Sequence, residues 1–281
     1  DWLAVKGGGG AVDLVMHVQA CDFKAAVAWL SGRDFSTQPR IAAQKPEKSH
    51  QTRTLTMPAA NEQRWQAVQN YLVEKRKLPL PLVDRLHEKG LVYADDFQNA
   101  VFPRYSLVND RWQRGEISGA SLRGTWGEQN QFRGMAVGTV REKGWFWLGT
   151  GRGQVSQVML TESPIDTMSL AILNKQHCSR QGVTIYLSVD GAGSIPMEAL
   201  KSVIRVGGKV TIAFDADKAG ELMAWRICQK LPEVERLLPS HGTDWNDQLV
   251  NGERSAIPDK KKRYSLWKWY AAARRVNRSK K

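Results

Sequence analysis

The spacing of apolar residues changes character several times along this chain. Val12, Val15 and Met16, then Cys21, Phe23, Val27, Trp29 and Leu30, recur at helical intervals and predict two short helices around Gln19–Asp22. From about Gly32 to Asn61 the chain is rich in Ser, Thr, Gln, Pro and Lys, with no apolar period to bury, and reads as a linker. Helical spacing returns from Glu62 to about Lys77, with Trp65, Val68, Tyr71 and Leu72 on one face. Leu78-Pro79-Leu80-Pro81 breaks it, and a second helix carrying Val83, Leu86 and His87 ends at Gly90.

The texture then shortens into strands. Ala100–Tyr105, Ile117–Arg123, Met135–Val140 and Trp145–Leu148 are separated by Gly, Asn and Asp, which predicts an antiparallel meander. Beyond it, strands alternate with helices: Val155–Leu160, Pro164–Leu173, Val183–Val189, Pro196–Ile204, Val210–Phe214 and Ala219–Leu231. Such alternation implies right-handed crossovers and a central parallel sheet flanked by helices, an α/β fold preceded by a smaller α+β unit.

Composition narrows the class. Of the 281 residues, 42% are hydrophobic and 25% charged, as in ordinary globular proteins. No apolar run approaches the roughly 20 residues of a membrane helix, and no secretory signal is visible, so neither a membrane nor export is expected. Cys21, Cys178 and Cys228 form no CxxC pair, which argues against a zinc knuckle or disulfide framework and for a reducing cytoplasm. The five histidines are scattered without metal-ligand spacing. The formal charge of +13 points to a polyanionic partner. Ten Lys/Arg against one Asp lie between Asp259 and Lys281, so most of the excess is in a tail. There Lys260, Lys261, Lys262 and Arg263 precede Trp267, Trp269 and Tyr270, a mixture suited to phosphates and bases.

In a parallel sheet, ligands bind beyond the carboxyl ends of the strands. Glu162 lies two residues past the first strand, and Asp215 and Asp217 follow the third, so topology brings three carboxylates to one edge. Hard divalent cations prefer such oxygen ligands, and phosphate chemistry needs a cation to offset developing charge. Two of the acids in this region have an ordinary alternative. Asp166 sits three residues after Ser163 at a helix start, and Asp217 is placed to cap the helix near Ala219.

These residues resemble a known family. Thr161-Glu162-Ser163-Pro164-Ile165-Asp166, Ser188-Val189-Asp190-Gly191-Ala192-Gly193 and Phe214-Asp215-Ala216-Asp217-Lys218-Ala219-Gly220 are similar, in order, to the motifs of the Toprim domain, in the version found in bacterial replicative primases. Thr243-Asp244-Trp245-Asn246-Asp247-Gln248-Leu249 resembles the late acidic motif of those primases. Upstream, Tyr71–Arg76 with Leu82–Gly90, then Val101–Arg104 and Gly119–Thr125, resemble the start and the β-rich part of the primase core. Gly8–Val15 resembles the segment after a primase zinc finger. Ser163-Pro164 departs from the family's Gly-aromatic pair, the zinc ligands are absent, and no helicase-binding domain is recognisable.

The resemblance implies that Glu162, Asp215 and Asp217 are catalytic and hold Mg²⁺ or Mn²⁺, with Asp166 as a further ligand and Asp244 in support. It also implies phosphate contacts from Arg76, Arg123 and Lys218, with single-stranded DNA, nucleoside triphosphates and a replicative helicase as partners. The expected organisation is a post-zinc-finger remnant over 1–32, a linker over 33–61, a primase-like subdomain over 62–152, the Toprim domain over 153–252 and a basic tail over 253–281. The expected activity is primer synthesis in the replication of a plasmid or mobile element. A metal-dependent nuclease and a non-catalytic DNA-binding factor are the alternatives, and no tyrosine has the context of a topoisomerase nucleophile. Gly7–Gly10 lacks the GxxxxGK[ST] pattern and reads as a turn. Trp145-Phe146-Trp147 reads as a buried strand, and Trp112 and Trp126 as the better base-stacking candidates.

Overall fold

The structure is a computed structural model that describes residues 11–19, 21, 23–31, 54–127, 132–174, 182–190 and 195–252. Gly7–Gly10, Gly191–Gly193 and the basic cluster Lys260–Arg263 lie outside the described residues. The chain divides into two compact units, residues 1–52 and 53–281. In the first, helices α1 (Ala11–Val18) and α2 (Phe23–Leu30) bury Val15 and Ala26. Among the described residues no helix is long and apolar enough to cross a membrane.

The second unit opens with α3 (Glu62–Asn70), whose first turn is capped by Asn61 accepting from the Gln63 N–H. The helix does not run on uniformly to Lys77. Tyr71–Lys75 widens into a π-helical turn, and after Arg76 and Lys77 the Pro79 break leads into α4 (Leu80–Glu88). A four-stranded antiparallel sheet follows in the order β1-β2-β3-β4: Tyr93–Ala94, Asn99–Val108, Arg111–Gly124 and Arg133–Met135.

The remaining strands form a five-stranded sheet: β5 (Phe146–Arg152), β6 (Val155–Thr161), β7 (Gly182–Ser188), β8 (Lys209–Ile212) and β9 (Glu235–Arg236), in the order β5-β7-β6-β8-β9. Strands β6 to β9 are parallel, as the alternating pattern predicted. Of Trp145–Leu148, expected in the meander, Trp145 keeps an isolated antiparallel bridge to Tyr105 of β2, whereas Phe146–Leu148 begins β5, which pairs antiparallel with β7 from Phe146↔Ser188 to Arg152↔Gly182. Helices α5 (Pro164–Leu173), α6 (Met197–Arg205), α7 (Lys218–Lys230) and α8 (Trp245–Asn251) complete the unit.

Burial follows the two-residue period of the strands. Val158, Leu160, Ile185 and Leu187 pack in one apolar cluster with Val203 of α6 and Ile227 of α7. Met159, Tyr186, Phe146 and Leu148 pack on the other side with α5 and α8. That second cluster continues through Val68, Leu72, Val83, Leu86 and Phe102, so one core joins the helices before the first sheet to the second sheet. This packing fixes where the strand ends lie against strands β2 to β4.

Candidate active site

Because β6, β7 and β8 run parallel, the residues that follow them emerge on one edge: Glu162 after β6, Asp190 after β7 and Asp215 after β8. Glu162 and Asp215 meet directly. Glu162 Oε1 accepts the Asp215 backbone N–H at 3.2 Å. The closeness depends on Gly220 in the first turn of α7. A Cβ there would lie 2.3 Å from the Asp215 carbonyl oxygen and 2.8 Å from Glu162 Oε1.

Arg236 braces the same turn from beneath. It is buried, and its guanidinium donates to the carbonyls of Ile212, Phe214, Asp215 and Leu237 and to Glu221 Oε1. An arginine fork suits this task because five N–H groups leave it in one plane. Arg236 was not foreseen from the sequence. An arginine in a two-residue edge strand reads as a surface charge.

The other acids are held by local structure. Ser163 caps α5, with its Oγ accepting the Asp166 N–H at 3.2 Å and donating to Asp166 Oδ2 at 2.6 Å. Asp166 Oδ1 accepts the Asn246 N–H at 3.2 Å. Both oxygens of Asp166 are therefore engaged, one by the Ser163 cap of α5 and the other by the first turn of α8. Asp217 caps α7 by accepting the Gly220 N–H at 2.8 Å, and its side chain is exposed. Asp244 caps α8 by accepting the Asp247 N–H at 2.6 Å. Asp190, with a left-handed φ of 47°, receives a hydrogen bond from Ser121 Oγ and a buried ion pair from Arg104 of β2.

A cleft of about 470 Å³ opens over this edge. Glu162, Asp166, Asp190, Asp215 and Asp244 line one part of it, and Arg76, Arg123, Arg133 and Arg141 another. Arg76 and Arg123, for which the resemblance implied phosphate contacts, both line this cleft. Arg133 and Arg141 join them unforeseen. Lys218 and Asp217 are not among the residues lining the cleft. Of the two stacking candidates, Trp126 is 71% exposed, whereas Trp112 is partly buried and packs edge-on against Trp147.

Burial sets the electrostatics of the edge. The Asp215 carboxyl is pushed up to about 8, first by burial and then by Asp166 and Glu162. Asp166 is pushed up to about 7 by burial and by Asp244, and Glu162 is raised chiefly by burial. Asp215 Oδ1 is buried without a hydrogen-bond partner. Among the described residues no three His, Cys, Asp or Glu side chains form a ready ligand set. An edge of this kind lowers its energy by taking up protons or a cation.

Comparison with known proteins matches these features to families. Residues 159–249 match the family described as Toprim-like, and they form a Toprim-like domain. Residues 70–153 match a family described as a protein of unknown function (DUF3991). A 65 kDa protein of Zymomonas mobilis subsp. mobilis is 26% identical over 270 residues, covering 89% of this chain and 43% of that protein. An uncharacterized protein of Bacillus anthracis is 26% identical over 220 residues, covering 76% and 58% respectively. The chain therefore spans about half the length of these relatives.

Two solved structures were also matched. One is a chain of the bacteriophage T7 lagging-strand DNA polymerase complex with primase domains of two gp4 subunits bound to an RNA/DNA hybrid and dTTP. It has a TM-score of 0.40 and 18% identity, covering 61% of this chain and 81% of that one. The other is the primase fragment of the bacteriophage T7 primase-helicase protein, with a TM-score of 0.37 and 17% identity, covering 60% and 65%.

Proposed function

We propose that this chain, with its Toprim-like domain at residues 159–249, is a metal-dependent nucleotidyltransferase of primase type, joining nucleoside triphosphates on single-stranded DNA. The observation that carries the reading is one cleft with an acidic edge at Glu162 and Asp215 and an arginine-lined part facing the same space. Nucleotidyl transfer needs both: anionic ligands for a cation, and cations for the phosphates that the cation does not cover.

Glu162 and Asp215 would hold Mg²⁺ or Mn²⁺, with Asp217 at the margin of the site. The buried, unpartnered Oδ1 of Asp215 and the raised carboxyls of both inner acids fit a cation better than they fit water. When bound, the ion offsets negative charge that builds on the reacting phosphate and on the departing pyrophosphate. The residues of the chain orient the rest. Arg76, Arg123, Arg133 and Arg141 bind phosphate oxygens, Arg236 and Gly220 hold the Asp215 turn against Glu162, and Asp166 ties that edge to α8. We place this activity in plasmid or mobile-element replication, beside a helicase, on the primase resemblance alone.

The test is incubation with circular single-stranded DNA, labelled NTPs or dNTPs, and Mg²⁺ or Mn²⁺. Short new oligomers are expected, and they should disappear in Asp215→Asn and Glu162→Gln. Shortened DNA without synthesis would replace the proposal with a nuclease. Salt-sensitive binding with neither product would replace it with a binding factor. Products unchanged in Asp215→Asn would remove the site assignment.

A further inference from the structure

The π-helical turn at Tyr71–Lys75 closes the helix begun by α3, and it has a geometric effect on the cleft. In an α-helix, residues five apart point about 140° away from each other. Here the wider turn, closed by the Arg76 N–H on the Tyr71 carbonyl at 3.1 Å, returns Arg76 to the side of Tyr71. The Arg76 Nε donates to the Tyr71 hydroxyl at 2.7 Å, and its guanidinium lies 5.2 Å from the centre of the Tyr71 ring. Arg123, from β3, donates its Nε to the same hydroxyl oxygen at 3.1 Å. One neutral phenol oxygen therefore gathers two arginines that are 47 residues apart in sequence.

Arg76 is fixed from its other side as well. Asn246, which is buried, accepts from Arg76 Nη1 at 3.1 Å and donates to the Arg76 carbonyl at 2.8 Å. The same Asn246 donates its backbone N–H to Asp166, so the arginines are registered against the acidic edge. Among the described residues neither Arg76 nor Arg123 forms an ion pair with a carboxylate. Arg123 also stands directly across the ladder from Arg133. Like charges drawn together without an anion raise the energy of the resting protein. A π-turn is itself a rare element, frequent at functional sites. The arrangement is relieved by a ligand with closely spaced anionic oxygens, which arginine forks bind in pairs.

We infer that Tyr71 is a positioning residue that sets Arg76 and Arg123 as a single clamp for phosphate groups in the cleft. The inference rests on reading the cleft as a nucleotide and nucleic-acid site, and it adds the device that holds its cationic part. The phosphates belong either to a nucleoside triphosphate or to the backbone of a single strand, and the two sources are separable by experiment.

The full chain is titrated calorimetrically in EDTA with ATP and, separately, with an oligodeoxythymidylate. Tyr71→Phe keeps the ring and removes only the shared acceptor. It is expected to weaken binding of at least one probe about tenfold, the effect of releasing two charge-assisted hydrogen bonds, while leaving the melting temperature near that of the parent. Loss with ATP assigns the clamp to the triphosphate, and loss with the oligonucleotide alone assigns it to the strand. In an Arg76→Gln/Arg123→Gln background, Tyr71→Phe should have no further effect, because nothing is left for it to position. Parental affinity of Tyr71→Phe for both probes, or an equal weakening in the double-Gln background, would overturn the inference. So would absence of binding of either probe by the parent chain. If the parent makes no primers yet shows the expected pattern, the clamp stands and the proposed reaction falls. If primers are made and Tyr71→Phe binds normally, the clamp alone falls.

Discussion

Replacing Gly220 by alanine adds one methyl group at the point where α7 passes the acidic edge. The new carbon would sit 2.3 Å from the Asp215 carbonyl oxygen and 2.8 Å from Glu162 Oε1, whereas ordinary contact begins near 3.4 Å. The carboxylate can rotate away. The main-chain oxygen cannot, because Arg236 Nη2 holds it at 2.8 Å. The first turn of α7 must therefore retreat by about 1 Å, a displacement of the kind that overpacking forces at roughly 1–3 kcal/mol. Retreat also stretches the Asp217 cap on the Gly220 N–H, worth about 1 kcal/mol. Alanine's better helix propensity returns at most about 1 kcal/mol. A net loss of about 1–3 kcal/mol is expected in urea unfolding. A 1 Å shift between Glu162 and Asp215 should also cost on the order of 100-fold in primer synthesis and weaken Mn²⁺ binding measured by titration. An unchanged urea midpoint together with unchanged Mn²⁺ affinity would refute both the close-approach argument and the pairing of these two acids.

Two further outcomes follow from the same geometry. The folded protein holds protons on Asp215 up to about pH 8 and on Asp166 up to about pH 7, against an ordinary value of 3.8. Stability from these groups is therefore complete below the ordinary carboxylate range and is lost as pH climbs through the raised values. In EDTA the melting temperature of the parent should fall more steeply than that of Asp215→Asn between the ordinary value of 3.8 and about pH 8, and Mg²⁺ should restore the parent alone. Equal pH slopes for the two proteins would contradict the assignment. Arg104→Met should destabilise by about 3–5 kcal/mol, since it strands the buried carboxylate of Asp190. Adding Asp190→Asn should recover part of that loss in urea unfolding, and no recovery would mean that the arginine acts through packing alone.

The alternation of strands and helices beyond Val155 was legible because buried parallel strands and amphipathic helices carry different apolar periods. Placing Glu162 and Asp215 on one edge followed from that topology. The assignment of Phe146–Leu148 to the first sheet failed for a physical reason, although Trp145 does bridge to β2. An aromatic, half-alternating strand fits either sheet equally well, and its true partner, β7, lies some 30 residues further on. Asp217 and Asp166 were readable both as ligands and as caps; Asp217 caps α7, whereas at α5 the cap is Ser163 and Asp166 is the residue it holds. The π-turn escaped notice because Tyr71 and Arg76 fall on different faces at 3.6 residues per turn. Arg104 and Arg236 were overlooked as working residues because their burial is a property of the packed chain.

Strand β5 carries one more implication. By sequence it falls within the segment 70–153, yet its ladder is made with β7, inside the Toprim-like segment 159–249. The two segments are therefore joined by a strand ladder as well as by the chain. A recombination joint between residues 153 and 159 would leave β7 with a full-length row of unpaired N–H and C=O groups, an open edge that recruits other strands. A foreign partner grafted onto residues 159–249 must therefore bring its own closing strand or leave that edge open.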